Sequence, residues 1–123
     1  MKKATILTAF IIACITLFSA CTKSSTTAGG TNGNITFSCS GITPGFTNDI
    51  QPILNTVCSI NSNCHGGGST NSGGPLTNYA EVNARKSNIR AQILAGTMPQ
   101  SGTITQAQIN AFICWIDSGA NNN

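Results

Sequence analysis

Of the six cysteines in this 123-residue chain, Cys14 lies within a short apolar leader and Cys21 just after it, and the four that stand behind them narrow its folding options sharply. Met1-Lys2-Lys3 is a basic start, and the apolar run Ala4 to Leu17 follows it. The run has the size of a signal-peptide core and is short for a membrane span. Export places Cys39, Cys58, Cys64 and Cys114 in an oxidising compartment, where free thiols rarely persist. Four cysteines allow three pairings, or two of them serve another purpose. Composition adds pressure in the same direction. Only 7% of the residues are charged and 6% aromatic, so a core built from these side chains is thin. A domain of about 100 residues with so little bulk calls for a further brace: disulfides, a metal or a bulky cofactor.

The leader ends in Leu17-Phe18-Ser19-Ala20-Cys21, small residues ahead of a cysteine. It resembles a bacterial lipoprotein signal, with Phe18 where an aliphatic residue is commoner. The resemblance implies that residues 1–20 are removed and that Cys21 carries lipid at the mature N-terminus. An ordinary secretory leader or a membrane anchor is the alternative. Residues 22–34 (TKSSTTAGGTNGN) read as a polar, Gly/Ser/Thr-rich tether. The expected organisation is a leader over 1–20, a tether over 21–36 and one domain over 37–120. The expected location is the cell envelope, lipid-anchored and facing the periplasm or the surface. Without the leader, Lys23, Arg85, Lys86 and Arg90 face Asp49, Glu81 and Asp117, a net charge of +1. So weak and scattered a charge excludes phosphate-driven nucleic-acid binding. Three dispersed acids likewise speak against a paired-carboxylate hydrolase.

Periodicity predicts a small all-α domain. Residues 35–38 read as a short extended arm, and a helix is expected from Asn48 or Asp49, with Pro52 in its first turn. Ile50, Ile53, Leu54 and Val57 fall on one face, and Cys58 follows. The segments 59–63 and 66–74 are turn-rich loops around Cys64-His65. Thr77 is the expected cap of a second helix reaching Lys86, and Ser87 the cap of a third through Leu94, stopped by Gly96. The last helix carries the strongest signal: Thr105 and Gln108 form a capping box, Ile109, Phe112, Ile113 and Ile116 a buried stripe, and Gly119 ends it. No strand-rich stretch or internal repeat interrupts this pattern.

Three features point to chemistry. Cys58 closes the first helix shortly before Cys64-His65, a lone Met98 sits in the loop Thr97-Met98-Pro99, and Trp115 lies on the closing helix. Covalent attachment of haem c needs two thiols for the porphyrin vinyls and a histidine directly after the second, so that its imidazole reaches the iron. A thioether sulfur on the other face completes a His/Met pair, which raises the potential and leaves no open position for substrate.

With these residues the chain resembles the small class I-like c-type cytochrome domains of exported bacterial proteins, over about Phe46 to Ala120. The resemblance is carried by Phe46-Thr-Asn-Asp-Ile-Gln-Pro-Ile-Leu54, Cys58…Cys64-His65-Gly66, Gly74-Pro75-Leu76, Thr97-Met98-Pro99 and Cys114-Trp-Ile-Asp-Ser-Gly-Ala120. It implies one haem in a cleft between crossing helices, bound by Cys58 and Cys64, with His65 and Met98 as its iron ligands. It also implies that the Pro75 carbonyl accepts the Nδ1–H of His65, a bond that fixes the ring's tautomer. With Cys58 and Cys64 so used, Cys39 and Cys114 remain, and a bridge between them staples the arm to the last helix.

One departure stands out. Five residues separate Cys58 from Cys64 where the usual motif has two. Six helical positions span about 9 Å and 600° of turn, which sends the two sulfurs to different sides. The connection must therefore bulge out of the helix, and Asn61-Ser62-Asn63 suits that. The functional expectation is a membrane-tethered electron carrier, not an enzyme, exchanging electrons with a redox protein the sequence does not identify. The alternative is a haem-free module with Cys58–Cys64 and Cys39–Cys114 disulfides and a binding or structural role, in which His65 is a loop residue and Met98 core filler. Arg85, Lys86 and Arg90 read as a solvated face or, less commonly, a docking patch for an acidic partner.

Overall fold

Tight packing around Trp115 organises the computed structural model, which describes residues 35–123. The expected leader, Cys21 and the tether up to residue 34 lie outside the described residues. Helix α1 covers residues 46–58, α2 covers Tyr79–Leu94 and α3 covers Gln106–Asp117. The described residues contain no strand, so the domain is all-α.

Helix α1 is irregular. Its two ends, Phe46–Ile50 and Leu54–Cys58, are wound as wide i→i+5 turns around a short α-helical piece, Gln51–Ile53. Pro52 offers no N–H to the preceding turn and its ring crowds the carbonyl four residues back, a cause of local widening. The helix begins earlier than the sequence suggests. Extended Gly45 precedes Phe46, and Asp49 lies inside the helix, its carboxylate reaching back 2.8 Å to the Gly45 N–H. Ile50, Ile53 and Leu54 are buried as their spacing predicts.

Helix α2 is one continuous element where two were expected. No glycine or proline interrupts residues 79–94, and exposed Ser87 has no reason to break the ladder. The cap is Asn78, one residue beyond Thr77: the Asn78 side chain accepts the Glu81 N–H at 3.1 Å. Glu81 in turn accepts the Thr77 N–H at 2.7 Å, which holds its carboxyl below the usual range. Gly96, at φ +67°, ends the helix as predicted. In α3 the Thr105–Gln108 capping box is present in both directions, and Ile109, Phe112 and Ile113 are buried while Ile116 packs at the edge.

The three helices meet at aromatic rings. Trp115 is fully buried, with its ring centroid 5.6 Å from Phe46, 6.2 Å from Phe112 and 6.3 Å from Tyr79. The chain beyond α3 returns across this cluster. Tyr79 donates its hydroxyl to the Ala120 carbonyl at 3.0 Å, Trp115 Nε1 donates to the Asn121 carbonyl at 2.9 Å, and Thr47 N–H donates to the Asn123 carbonyl at 2.8 Å. The arm before α1 is tied as well, from Ile35 onward: the Ile35 N–H donates to Leu94, and Gln106 donates to the Thr36 carbonyl.

Cys39 and Cys114 form the disulfide expected once the other two cysteines are set aside, with Cα atoms 5.5 Å apart across 75 residues of sequence. Closing a loop of that length stabilises by about 4 kcal/mol in the chain-entropy model. Peptide mapping of the unreduced protein should recover the Cys39 and Cys114 peptides joined. Replacing both cysteines by serine should lower the unfolding free energy by about 2–5 kcal/mol in urea titration; an unchanged midpoint would contradict this role.

Candidate functional site

Where α1 ends, the chain makes the outward bulge that the spacing of Cys58 and Cys64 demands. Residues 59–63 leave the helix and fold back onto its last turn. The Asn61 side chain accepts the N–H of Asn63 at 2.9 Å and of Cys64 at 3.1 Å, while its carbonyl accepts the N–H of Cys64 and of Gly66. His65 N–H then donates to the Cys58 carbonyl at 3.0 Å, so the histidine sits against the helix end despite the extra residues. Ser69 and Asn71 both donate to the Cys64 carbonyl, and Ser59 Oγ donates to Leu76 at 2.6 Å. The short polar residues of this segment are therefore the bonds that hold the two thiols and the imidazole in place.

The His65 ring is fixed by one further contact, which differs from the expectation. The carbonyl that takes its Nδ1–H belongs to Gly74, at 2.8 Å, and not to Pro75. Gly74 occupies φ +61°, a left-handed conformation open to glycine, and this turns its carbonyl towards the ring one residue before the fixed backbone of proline. With Nδ1 donating to a carbonyl, Nε2 carries the free lone pair, the tautomer a metal-binding imidazole requires.

His65, Cys58 and Cys64 border a cleft of about 540 Å³, and Met98 borders the same cleft from the loop between α2 and α3. Four of the five expected cofactor-binding residues thus share one cavity, and Pro75 is absent from its wall. The volume lies within the roughly 300–1,000 Å³ typical of small-molecule and cofactor sites. Helix α2 adds Arg85, Asn88, Ile89, Gln92 and Ile93 to the wall, and the rest comes from Val57, Leu76, Ile104 and the loops that carry His65 and Met98. The Met98 loop is held to that helix by the Thr97 and Met98 N–H groups, which both donate to the Gln92 carbonyl. Sequence reasoning missed Gly74 and the cleft face of α2. Left-handed Gly74 was visible only as part of the Gly-Pro-Leu run, and the role of α2 depends on its being a single continuous helix.

Cys58 and Cys64 carry free thiols here, not a disulfide with each other. Burial pushes the Cys58 thiol up to about 11, and neighbouring Cys64 adds to the rise, so Cys58 is protonated at neutral pH. Among the described residues no group of three or more His, Cys, Asp or Glu side chains converges as a cage for a bare metal ion. The donor set of the cleft is instead two thiols, one imidazole and one thioether. No family model, curated protein or solved structure matches the chain.

Gly66 tests the bulge. A Cβ there would lie 2.7 Å from the backbone carbon and oxygen of Asn61, and backbone cannot swing aside as a side chain does. Gly66→Ala should destabilise the domain by about 1–3 kcal/mol in equilibrium unfolding. Gly67→Ala, whose Cβ would meet nothing within 4 Å, should change it by less than about 0.5 kcal/mol. Equal effects of the two would show that the close approach at Asn61 is unimportant.

Proposed function

We propose that this chain is a c-type cytochrome domain, tethered to a membrane through Cys21, that holds one haem and relays electrons. The observation that carries the reading is the meeting of Cys58, Cys64, His65 and Met98 on one cleft, with the His65 ring oriented by a main-chain carbonyl. The donor chemistry suits a porphyrin: two thiols for thioether bonds, an imidazole nitrogen with a free lone pair, and a soft thioether sulfur. When bound, the group supplies an iron that cycles between ferric and ferrous states.

The protein's part is to hold and to exclude. His65 would hold the iron through Nε2, while the Gly74 carbonyl keeps its ring from rotating. Met98 would hold the group through its thioether sulfur, a soft donor that favours the ferrous state and leaves no open position for substrate, as a carrier requires. Cys58 and Cys64 would hold the cofactor covalently, and Val57, Leu76, Ile89, Ile93 and Ile104 give the cleft its apolar lining. No helix among the described residues is long and apolar enough to cross a membrane, so attachment in this reading rests on the lipid at Cys21.

Expression with c-type maturation factors should give a red protein whose intact mass includes one porphyrin and whose colour survives denaturation and acid–organic extraction. A colourless product with the mass of polypeptide and acyl chains would overturn the reading. Met98→Ala should lower the potential and admit small ligands to the iron; an unaltered spectrum would remove Met98 from the ligand set.

A further inference from the structure

We propose that Arg85 is the residue by which the cleft recognises its ligand's acid group, pairing with a carboxylate side chain of the porphyrin. This inference rests on the haem reading and deepens it by assigning the polar end of the ligand.

The wall of the cleft contains one cation and no acid. Arg85 is that cation, half-buried on the inner side of α2. Each of the three acids among the described residues is committed elsewhere: Asp49 to the Gly45 N–H, Glu81 to Thr77 and Asp117 to Arg90. Arg85 forms no ion pair with a described residue; Nη1 donates to the Glu81 main-chain carbonyl at 3.2 Å, and most of the guanidinium's five donors remain unused by that bond. Its neighbours in the basic trio face other tasks. Lys86 donates to Asn83 at 2.9 Å, and Arg90 makes a two-pronged contact with Asp117 and lies over the Phe37 ring.

Position strengthens the assignment. The guanidinium packs on the glycine that orients His65: a Cβ at Gly74 would come within 3.1 Å of Nη2. Arg85 therefore stands beside the imidazole's support, at the edge of the cavity that His65 borders. A partly desolvated guanidinium without a counter-ion is unfavourable, and a planar carboxylate matches its fork with two parallel charge-assisted bonds. Asn71, Asn88, Gln92 and Ser101 border the same cavity and offer further polar contacts to an acid group.

Haem-free protein titrated with iron protoporphyrin IX and with its dimethyl ester, followed by Soret absorbance, tests the pairing. The free acid should bind wild type about tenfold more tightly than the ester. Arg85→Gln should bring the acid down to the ester's affinity, and Arg85→Lys should restore part of the difference. Equal affinity of wild type for acid and ester overturns the inference, and so does an Arg85→Gln variant that weakens both compounds alike, the mark of a purely packing role. The wild-type comparison decides even if the glutamine variant does not fold. Binding of neither compound to wild type overturns the porphyrin reading, and this inference with it.

Discussion

Trp115 is the side chain through which the three helices are joined. It lies on α3, touches Phe46 at the start of α1 and Tyr79 at the start of α2, and its indole N–H holds the returning chain at Asn121. Edge-to-face aromatic pairs are worth about 0.5–1.5 kcal/mol beyond the area they bury. In a chain so poor in large side chains, gathering four aromatic rings at one point gives the core a bulk that scattered isoleucines would not. The adjacent residue, Cys114, takes the disulfide to Cys39, so the arm is stapled one position from the centre of the core. Aromatic packing and cross-link thus act on the same turn of α3, one setting its place among the helices and the other limiting how far the arm strays when it opens.

This arrangement consolidates one end of the domain and leaves the other end loosely filled. Phe46, Tyr79 and Trp115 crowd the end where α1 and α2 begin, while the far end of α1 runs out at Cys58 into loops rich in Asn, Ser and Gly. Those loops hold their shape by hydrogen bonds to main-chain atoms, chiefly through Asn61, Ser69 and Asn71, because they have almost no apolar surface to bury. The cleft opens on that end. A site built in this way gains precision from main-chain geometry, with Asn61 closing the bulge, Gly66 allowing the close pass and Gly74 presenting a carbonyl to His65.

How much of this was legible in the sequence follows from the range of each interaction. The capping box at Thr105, the stop at Gly96 and the faces of α1 and α3 are local, and each is read correctly from neighbouring residues. The split of α2 at Ser87 failed because a serine is a cap only where the helix has reason to end, and here nothing opposes continuation. The early start of α1 was hidden because Gly45 gives no side-chain signal, and the stabilising carboxylate, Asp49, acts from inside the helix. Cys58, Cys64, His65 and Met98 were legible as types and spacings, and their sharing of one cavity required the fold. The bond from His65 was assigned one residue too far along because residue order alone does not reveal which of two successive carbonyls, Gly74 or Pro75, turns inward; the left-handed glycine decides it.

Helix α2 shows why the cleft and the thin core belong to one problem. Only Val82 and Ile93 are buried along its 16 residues, and its sequence is polar on nearly every side. A helix of that kind gains little from packing its own face and depends on caps, neighbours or a ligand. Neighbours hold it at several points: Tyr79 packs at Trp115, Leu94 accepts the Ile35 N–H, Arg90 pairs with Asp117 on α3 at 2.8 Å, and the Met98 loop hangs from Gln92. The side bearing Arg85, Ile89 and Gln92 borders the cavity. On the proposed reading, the porphyrin would add packing there, with Ile89 and Ile93 among the residues that hold its apolar part and Arg85 the partner of its acid group. The same feature that makes α2 a weak element in isolation, a mixed face of isoleucine and guanidinium, makes it the natural wall for a ligand that is itself flat, apolar and acidic at one edge.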